Sequence, residues 1–307
     1  MPPRLRAALS AVLIALSGLL VPFGALAAWA AYELADTDRY VTAMAPLATD
    51  PAVREAVADT VGDGILRAVD QHLDVPPLPG PLRPFVRDAV RSFTQTRAFR
   101  MAWDTGNQVT HDAVLRALRG ADDRDVTVDL APVTAQVKLR LTQDHVPLAA
   151  RIPVEHTTVA VLPAGELTAL RKGFHVLEVA GFWLPVAAVV FAVGGIALAV
   201  RRRRAVTATA LGTALGGALL AGCLAVGRSL TLAGLPADVP HPAAGAVYDA
   251  LTATLRTVAW LLLGLGLVVA LTAWLTRYLR LTRPARRPPG SSAPAPAPAP
   301  APTRARA

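Results

Sequence analysis

The sequence predicts a mainly α-helical membrane protein: four transmembrane helices plus an extracytoplasmic α-rich (α+β) domain that holds one small two-stranded sheet. Three observations predict this fold class. Four apolar runs stay free of charge over the roughly 20 residues that a helix needs to cross a bilayer. Arginines cluster at alternate ends of those runs, and one long polar segment carries most of the acids. With 53% hydrophobic residues, the chain is also more apolar than soluble domains, which have about 45–50%.

The four consecutive arginines at 201–204 determine the predicted topology. They separate two apolar runs, and loops rich in arginine stay in the cytoplasm, so the runs form a hairpin with a cytoplasmic turn. Both termini then lie in the cytoplasm. The basic topology determinants at the three cytoplasmic sites are Arg4, Arg6, Arg201, Arg202, Arg203, Arg204, Arg277, Arg280, Arg283, Arg286 and Arg287. We interpret the net charge of +9 as membrane orientation and not as nucleic-acid binding.

The apolar runs and charges divide the chain into nine segments. In order, they are a cytoplasmic N-terminus (1–6), transmembrane helix 1 as an uncleaved anchor (7–32), an extracytoplasmic helical domain (33–176), helix 2 (177–200), the arginine turn (201–204), helix 3 (205–227), an outer loop with an amphipathic helix (228–256), helix 4 (257–276), and a basic collar with a disordered Ala-Pro tail (277–307). The alternative for 7–32 is a cleaved signal peptide, because Ala25-Leu26-Ala27 has the small-x-small pattern of a cleavage site. The following segment is exported in either case.

The exported domain contains three predicted helices. Asp50-Pro51 has a capping carboxylate and a proline at the first helical position, which is typical of a helix start. An apolar stripe then recurs every fourth residue from Val53 to Ile65. A second helix is predicted at Leu82–Phe93 and a third at Thr96–Arg119, with Gly120 as its C-cap.

The last part of that domain has a strand, helix, strand pattern. Val126–Leu130 alternates like a strand, Val133–Leu141 is helical in pattern, and Thr158–Leu162 is rich in β-branched residues. Two strands joined through a helix predict a small parallel βαβ crossover. A further helix from about Gly165 is expected to lead into the second span.

The third span carries glycines at the spacing that lets helices approach closely. Gly212 and Gly216 form a G-x-x-x-G, and Gly222 lies further along. The two interpretations are an oligomer contact and packing within one chain, and we favour the second. None of the four apolar runs contains a charged residue, since Glu178, Arg228 and Arg256 lie at their outer ends, and this argues against a proton-coupled transporter.

Few residues have the pattern of a chemical site. His111, beside Asp112, is a weak candidate for a catalytic or ligand role, and the Asp122, Asp123 and Asp125 turn is a weak cation candidate. The glycine and distal Glu of a calcium loop are missing from that turn. No zinc spacing, P-loop, dinucleotide fingerprint or G-x-S-x-G is present. We therefore expect no catalytic, cofactor-binding or metal residues and no enzymatic activity.

Several stretches of the sequence carry a further signal. They are Asp36–Val41, Ala45–Ala48 and Asp50–Val53, Trp103 with Asn107 and His111, and stretches 249–252 and 266–271. Together they resemble a family of multi-pass integral membrane proteins common in Streptomyces and related actinobacteria. It implies the same four-span layout in a bacterial plasma membrane. The family has no assigned activity, so no functional residues follow from it.

These observations favour an envelope binding, sensing or scaffold protein that acts through its exported domain. The alternatives are an oligomeric channel or carrier formed by the four spans and, last, a membrane-tethered hydrolase. Expected partners are the bilayer with its anionic inner-leaflet lipids, and either a second copy of the chain or an envelope protein. We expect no nucleic acid and no cofactor.

Overall fold

The computed structural model describes residues 2–72, 82–120, 126–129, 131–143, 158–162, 164–237 and 239–281. Its helices and strands, in order, are α1 (Pro3–Trp29), α2 (Thr37–Met44), α3 (Pro51–His72), α4 (Leu82–Thr94), α5 (Arg97–Arg119), β1 (Val126–Asp129), α6 (Ala131–Gln143), β2 (Thr158–Leu162), α7 (Ala164–Leu198), α8 (Arg202–Ala233) and α9 (His241–Leu281). A π-helical turn, Ala30–Leu34, follows α1, and a 3-10 turn, Ala45–Thr49, follows α2. Arg283, Arg286, Arg287 and the Ala-Pro tail lie outside the described residues.

Four helices of the described chain are long and apolar enough to cross a membrane. They are Pro3–Leu34, Thr168–Leu198, Arg202–Ala233 and His241–Thr276. Large apolar side chains cover the outside of this bundle: Leu215 is 71% exposed and Leu230 is 67% exposed. An apolar exterior of this extent is unfavourable in water and expected in lipid. The predicted class, a mainly α-helical multi-pass membrane protein, is therefore confirmed.

The helices continue past the predicted limits of the outer loop. α8 extends to Ala233 and α9 begins at His241, so most of the predicted loop 228–256 is helical. An ion pair from Asp249 of α9 to Arg228 of α8 (3.1 Å) joins the ends of the two helices, and Asp249 also pairs with Arg256 within α9 (2.7 Å). The amphipathic helix predicted within this loop is confirmed as the first part of α9, whereas the extension of α8 past Gly227 was not predicted.

Glycines allow α8 and α9 to pack backbone to backbone. A Cβ atom on Gly266 would lie 2.5 Å from the carbonyl oxygen of Ala210, and one on Gly217 would lie 2.7 Å from that of Ala259. No side chain fits at such distances. Small residues at helix contacts are the usual means of close packing in lipid, where no hydrophobic effect drives helices together.

The predicted glycine face of α8 lies against α1 of the same chain. A Cβ atom on Gly212 would lie 3.6 Å from the Cα of Gly18, and one on Gly216 would lie 3.1 Å from a methyl group of Val21. α1 thus occupies this face, and the two glycines are not free for an oligomer contact. Gly222 differs, because nothing in the described residues lies within 4 Å of its added Cβ.

Two serine hydroxyls fasten α1 to α7 inside the apolar layer. Ser10 donates to the carbonyl of Gly195 at 2.7 Å, and Ser17 donates to that of Ala188 at 2.8 Å. Both serines are buried. Each bond satisfies a hydroxyl that would otherwise be unpaired in hydrocarbon. α1 and α7 make the most extensive contacts of any helix pair, followed by α8 and α9.

The helical domain between α1 and α7 shares its core with the N-terminal part of the fourth membrane helix. Met44, Leu47 and Val53 are buried together, and residues Ala243–Leu251 of α9 pack against them. The predicted helix start at Asp50-Pro51 is confirmed, since the Asp50 carboxylate accepts from the amides of Ala52 (2.9 Å) and Val53 (3.2 Å). The domain is therefore packed onto the bundle.

The predicted parallel βαβ crossover is wrong. β1 and β2 pair in antiparallel fashion, with Val128 opposite Val159 and Asp129 opposite Thr158. An isolated pair of strands is better stabilised by antiparallel hydrogen bonds, and parallel sheets occur almost only as larger sheets covered on both faces. The β-branched pattern identified the strands but carried no information on their direction.

Gly266→Ala tests the close approach of α8 and α9. The added methyl group overlaps α8 backbone atoms, so we expect a loss of roughly 1–3 kcal/mol, as for other overpacked sites. The measurement is thermal unfolding of the purified protein in detergent. Gly264→Ala is the matched control, because nothing lies within 4 Å of its added Cβ. Equal unfolding temperatures for the two variants would contradict this packing.

Candidate functional site

The helical domain between α1 and α7 contains an apolar cavity of ≈ 650 Å³ along α5. Helices α2, α3, α4 and α5 contribute to its walls. The lining residues are Tyr40, Val57, Val61, Val90, Phe93, Thr94, Phe99, Ala102, Trp103, Gly106, Asn107, Thr110, His111 and Val114. A volume of this size is typical of sites for small ligands, which are mostly apolar with a few polar groups.

The apolar faces of three helices produce this cavity. Val57 and Val61 belong to the stripe of α3, and Val90 and Phe93 form the matching face of α4. Gly106 of α5 contributes space, because nothing in the described residues lies within 4 Å of an added Cβ. A glycine inside a helix costs about 1 kcal/mol relative to alanine. Here its lack of a side chain leaves the cavity open.

The polar end of the cavity is formed by His111, which stacks on Tyr40. The two ring centroids are 4.1 Å apart and the planes are inclined by 15°. Burial raises the pKa of Tyr40, so its phenol stays neutral and able to donate a hydrogen bond. The cavity wall therefore combines a stacked aromatic pair that carries two polar groups with a surface that is mostly apolar.

His111 also holds the outer end of the first membrane helix. Its Nε2 lies 3.0 Å from the carbonyl oxygen of Leu34, the last residue of the π-helical turn. Arg119, two turns further along α5, donates to the carbonyl of Ala35 at 3.0 Å. The last carbonyls of a helix have no partner within it. α5 thus supplies donors for both, and we call this contact between α5 and residues Leu34–Thr37 the joint.

Thr37 is shared between two acceptors in the joint. Its hydroxyl donates to the Asp112 carboxylate at 2.6 Å and lies 3.1 Å from Nδ1 of His111. The Nε2 atom must carry a hydrogen to bond Leu34, so a neutral His111 has none on Nδ1. The single hydroxyl hydrogen can then serve only one contact at a time. Protonation of the ring would place a hydrogen on Nδ1, so that the contact with His111 and the contact with Asp112 would each have a hydrogen of their own.

Burial works against that protonation. It lowers the pKa of His111, and the positive charge of Arg119 acts in the same direction. The Leu34 carbonyl and the charges of Asp112 and Asp36 oppose the shift in part. The net direction is downward, so His111 is neutral at neutral pH and gains its charge only under more acidic conditions than a free histidine.

The same end of α5 contacts the second membrane helix. Arg119 lies 3.6 Å from Glu178 of α7, and its guanidinium is 5.6 Å from the ring centroid of Phe174. Arg171 of α7 donates to the carbonyl of Ala117 at 2.9 Å. One end of α5 is therefore bonded to both α1 and α7, the two helices that the buried serines hold together.

The remaining predicted site residues are distributed differently. Asp122, Asp123 and Asp125 lie outside the described residues. Within the described ranges, no group of three or more His, Cys, Asp or Glu side chains could hold a metal ion. Sequence reasoning selected His111 but missed its partner Thr37, because the two are 74 positions apart and no local pattern links them.

The polar groups at the joint are not arranged as a catalytic triad. In a triad, the acid orients the imidazole and the imidazole activates the hydroxyl. Here the Thr37 hydroxyl stands between His111 and Asp112, and the second ring nitrogen is bound to a main-chain carbonyl. The arrangement holds two helices together.

No protein family, curated protein or solved structure matches the chain.

The lowered pKa of His111 predicts how stability depends on pH. Below about pH 6.5 the unfolded chain binds more protons at this residue than the folded chain does. The contribution of His111 to the free energy of unfolding is therefore fully present above that pH and is lost as the pH drops below it. We expect urea unfolding, followed by tryptophan emission, to show a lower midpoint at pH 5 than at pH 7.

His111→Gln isolates the contribution of this residue to that dependence. Glutamine does not titrate, so the loss between pH 7 and pH 5 should become smaller than in the native chain. His175→Gln, an exposed position on α7, is the control and should keep the native pH dependence. An identical pH dependence in all three proteins would show that the joint does not titrate.

Proposed function

We propose that this protein is a sensor or binding protein of the bacterial plasma membrane whose extracytoplasmic domain binds a long apolar ligand. The observation that carries the proposal is the double role of His111. Its ring lines the cavity and stacks on Tyr40, and its Nε2 faces the carbonyl at the end of the first membrane helix. A ligand in the cavity thus contacts a residue that holds the helix.

The chemistry of the walls defines the class of ligand. The described lining residues are aliphatic and aromatic over most of their surface, and none carries a fixed charge. From Phe99 to Val114, α5 rises by about 22 Å along the cavity. An extended acyl chain or a similar apolar molecule fits these dimensions. Its polar group would lie near His111 and Thr110, where hydrogen-bonding side chains are present.

The contacts of the joint provide a route from the cavity to the membrane helices. His111 can bond Leu34 only while its ring keeps its position on Tyr40. A ligand that shifts this pair changes the hydrogen bond to α1. The same α5 is bonded to α7 through Arg119 and Ala117, so both helices receive the change. A ligand can shift the equilibrium between two conformations only if it contacts them differently, and contact with the pair of His111 and Tyr40 provides such a difference.

We infer the side of the membrane from the arginines. Arg4, Arg6 and the cluster at 201–204 lie at the opposite end of the bundle from the domain, and the positive-inside bias supports a position of the domain outside the cell. Both termini would then be cytoplasmic. The resemblance to actinobacterial membrane proteins supports the same layout, and we propose membership in that family on this basis.

Filling the cavity tests the proposal directly. Trp103 lines the cavity, and a variant that keeps only this tryptophan (the other four changed to Phe) reports on it. We expect a brominated long-chain fatty acid to quench Trp103 emission in a saturable way. Gly106→Leu in the same background adds a side chain to the cavity wall, at a position where nothing in the described residues lies within 4 Å of the added Cβ, and should abolish the saturable part.

Gly64→Leu is the matched control for that experiment. Gly64 lies on the neighbouring helix α3, does not line the cavity, and has nothing within 4 Å of an added Cβ. Quenching should saturate in this variant as in the parent. Equal quenching in the Gly106→Leu and Gly64→Leu variants would indicate simple partition of the acid into detergent and would refute a ligand site.

A further inference from the structure

A second cavity, of ≈ 680 Å³, lies at the opposite end of the bundle. It is bordered by the first turns of α1, the turn after α7 and the start of α8. Its lining residues are Pro3, Arg4, Ala7, Ser10, Ala11, Ile14, Ala15, Ala199, Val200, Arg201, Arg204, Ala205 and Ala208. We call this cavity the inner cleft. The only hydroxyl in its described wall, that of Ser10, is already bonded to Gly195.

We propose that the inner cleft binds one anionic phospholipid of the cytoplasmic leaflet. The headgroup phosphate would lie among Arg4, Arg201 and Arg204, and an acyl chain would follow the apolar wall of α1. This site is independent of the proposed ligand cavity, because it lies at the other end of the membrane helices and shares no residue with it.

Charge complementarity supports this occupant. Three guanidinium groups from two helices border the cleft, and none forms an ion pair with an acid in the described chain. Three adjacent positive charges repel one another, and an anion bound between them removes that repulsion. Arginine also binds phosphate oxygens in a bidentate manner. Basic pockets between membrane helices on the cytoplasmic side have the chemistry of anionic lipid headgroups.

The depth of the cleft matches one leaflet of a bilayer. From Arg4 to Ala15, the wall formed by α1 rises by about 16 Å. Half of a hydrocarbon core of about 30 Å is about 15 Å. The arginines therefore lie at the level of the headgroups while the apolar wall lies at the level of the acyl chains. A free phosphate would use only the arginines and would leave the apolar wall empty.

The start of α8 contributes in the same direction. Arg201 is the residue before the helix, its side chain provides no cap, and no acid lies in the first turn. The unpaired amides and the helix dipole at this point favour an anion. Together with the three side chains, they concentrate positive potential at the mouth of the cleft.

The test is lipid binding by the delipidated full-length protein, followed by native mass spectrometry during titration with phosphatidylglycerol. We expect one high-affinity lipid. Changing the cleft arginines together, Arg4→Gln, Arg201→Gln and Arg204→Gln, should weaken that binding by about tenfold or more, since each basic residue near the surface contributes to attraction. Phosphatidylcholine with the same acyl chains should bind the native protein more weakly than phosphatidylglycerol.

The matched control removes the same charge from the same end of the bundle. This control combines Arg6→Gln, Arg202→Gln and Arg203→Gln. The three residues lie beside the cleft arginines in sequence but do not line the cleft. This triple variant should keep the high-affinity lipid. Equal weakening in the two triple variants would show diffuse attraction of the whole basic surface and would overturn the site. Equal binding of the two lipids would do the same.

A second pair of variants tests the apolar wall and leaves every arginine in place. Ala11→Phe fills the cleft, and Ala8→Phe adds the same side chain to an exposed position of α1 outside it. We expect only the first to lose the bound lipid. Unchanged binding in Ala11→Phe would refute the proposed acyl-chain position. This pair also decides the matter if the arginine variants are unstable.

Discussion

The carbonyl groups at the outer end of the first membrane helix need hydrogen-bond donors, and α5 provides them. Without His111 and Arg119, the carbonyls of Leu34 and Ala35 would have to find water at the point where the chain turns out of the bundle. An unpaired polar group that is shielded from water costs about 1–3 kcal/mol. These bonds therefore fix the position of α5 relative to the end of α1, and they fix the position of the cavity beside α5 as well.

The membrane bundle obeys a different constraint from the domain. In lipid, burial of apolar surface provides no net attraction between helices, so contact must come from close packing and from hydrogen bonds. Gly217 and Gly266 provide the close packing between α8 and α9, and Ser10 and Ser17 provide bonds between α1 and α7. In the domain, the hydrophobic effect drives the burial of Met44, Leu47 and Val53.

Features that depend on local sequence were predictable. The four spans, the start of α3 and the approximate limits of α4 and α5 follow from apolar period, capping side chains and bilayer thickness. Long-range features were not predictable. The antiparallel pairing of β1 and β2, the contact of Gly212 with α1, and the bond between Thr37 and His111 each join distant parts of the chain.

The candidate sites show the same division. His111 was a candidate because it lies next to an aspartate. Its partner Thr37 could not be predicted, because a threonine at the start of a helix is an ordinary capping pattern. The cavity itself was not predicted at all. Its walls come from four helices, and the space beside Gly106 exists because α3 and α4 leave nothing within 4 Å of an added Cβ there. The inner cleft was represented only by its arginines, which the topology already explained.

The contacts divide the bundle into two pairs of helices, and this division relates the two cavities. α1 packs most extensively on α7, and α8 on α9, while contacts between the pairs are fewer. At the outer end, the joint holds α1 and α7 through His111 and Arg119, whereas the buried core of the domain holds α9.

At the inner end, the cleft lies between α1 and the start of α8, with the turn after α7 at its edge. Helices behave as rigid rods over this length, so small sliding of one pair against the other is the motion that such packing permits. The four apolar runs contain no charged side chain that such sliding would carry through the apolar layer. Because α1 belongs to one pair and α8 to the other, sliding of this kind would change the width of the inner cleft.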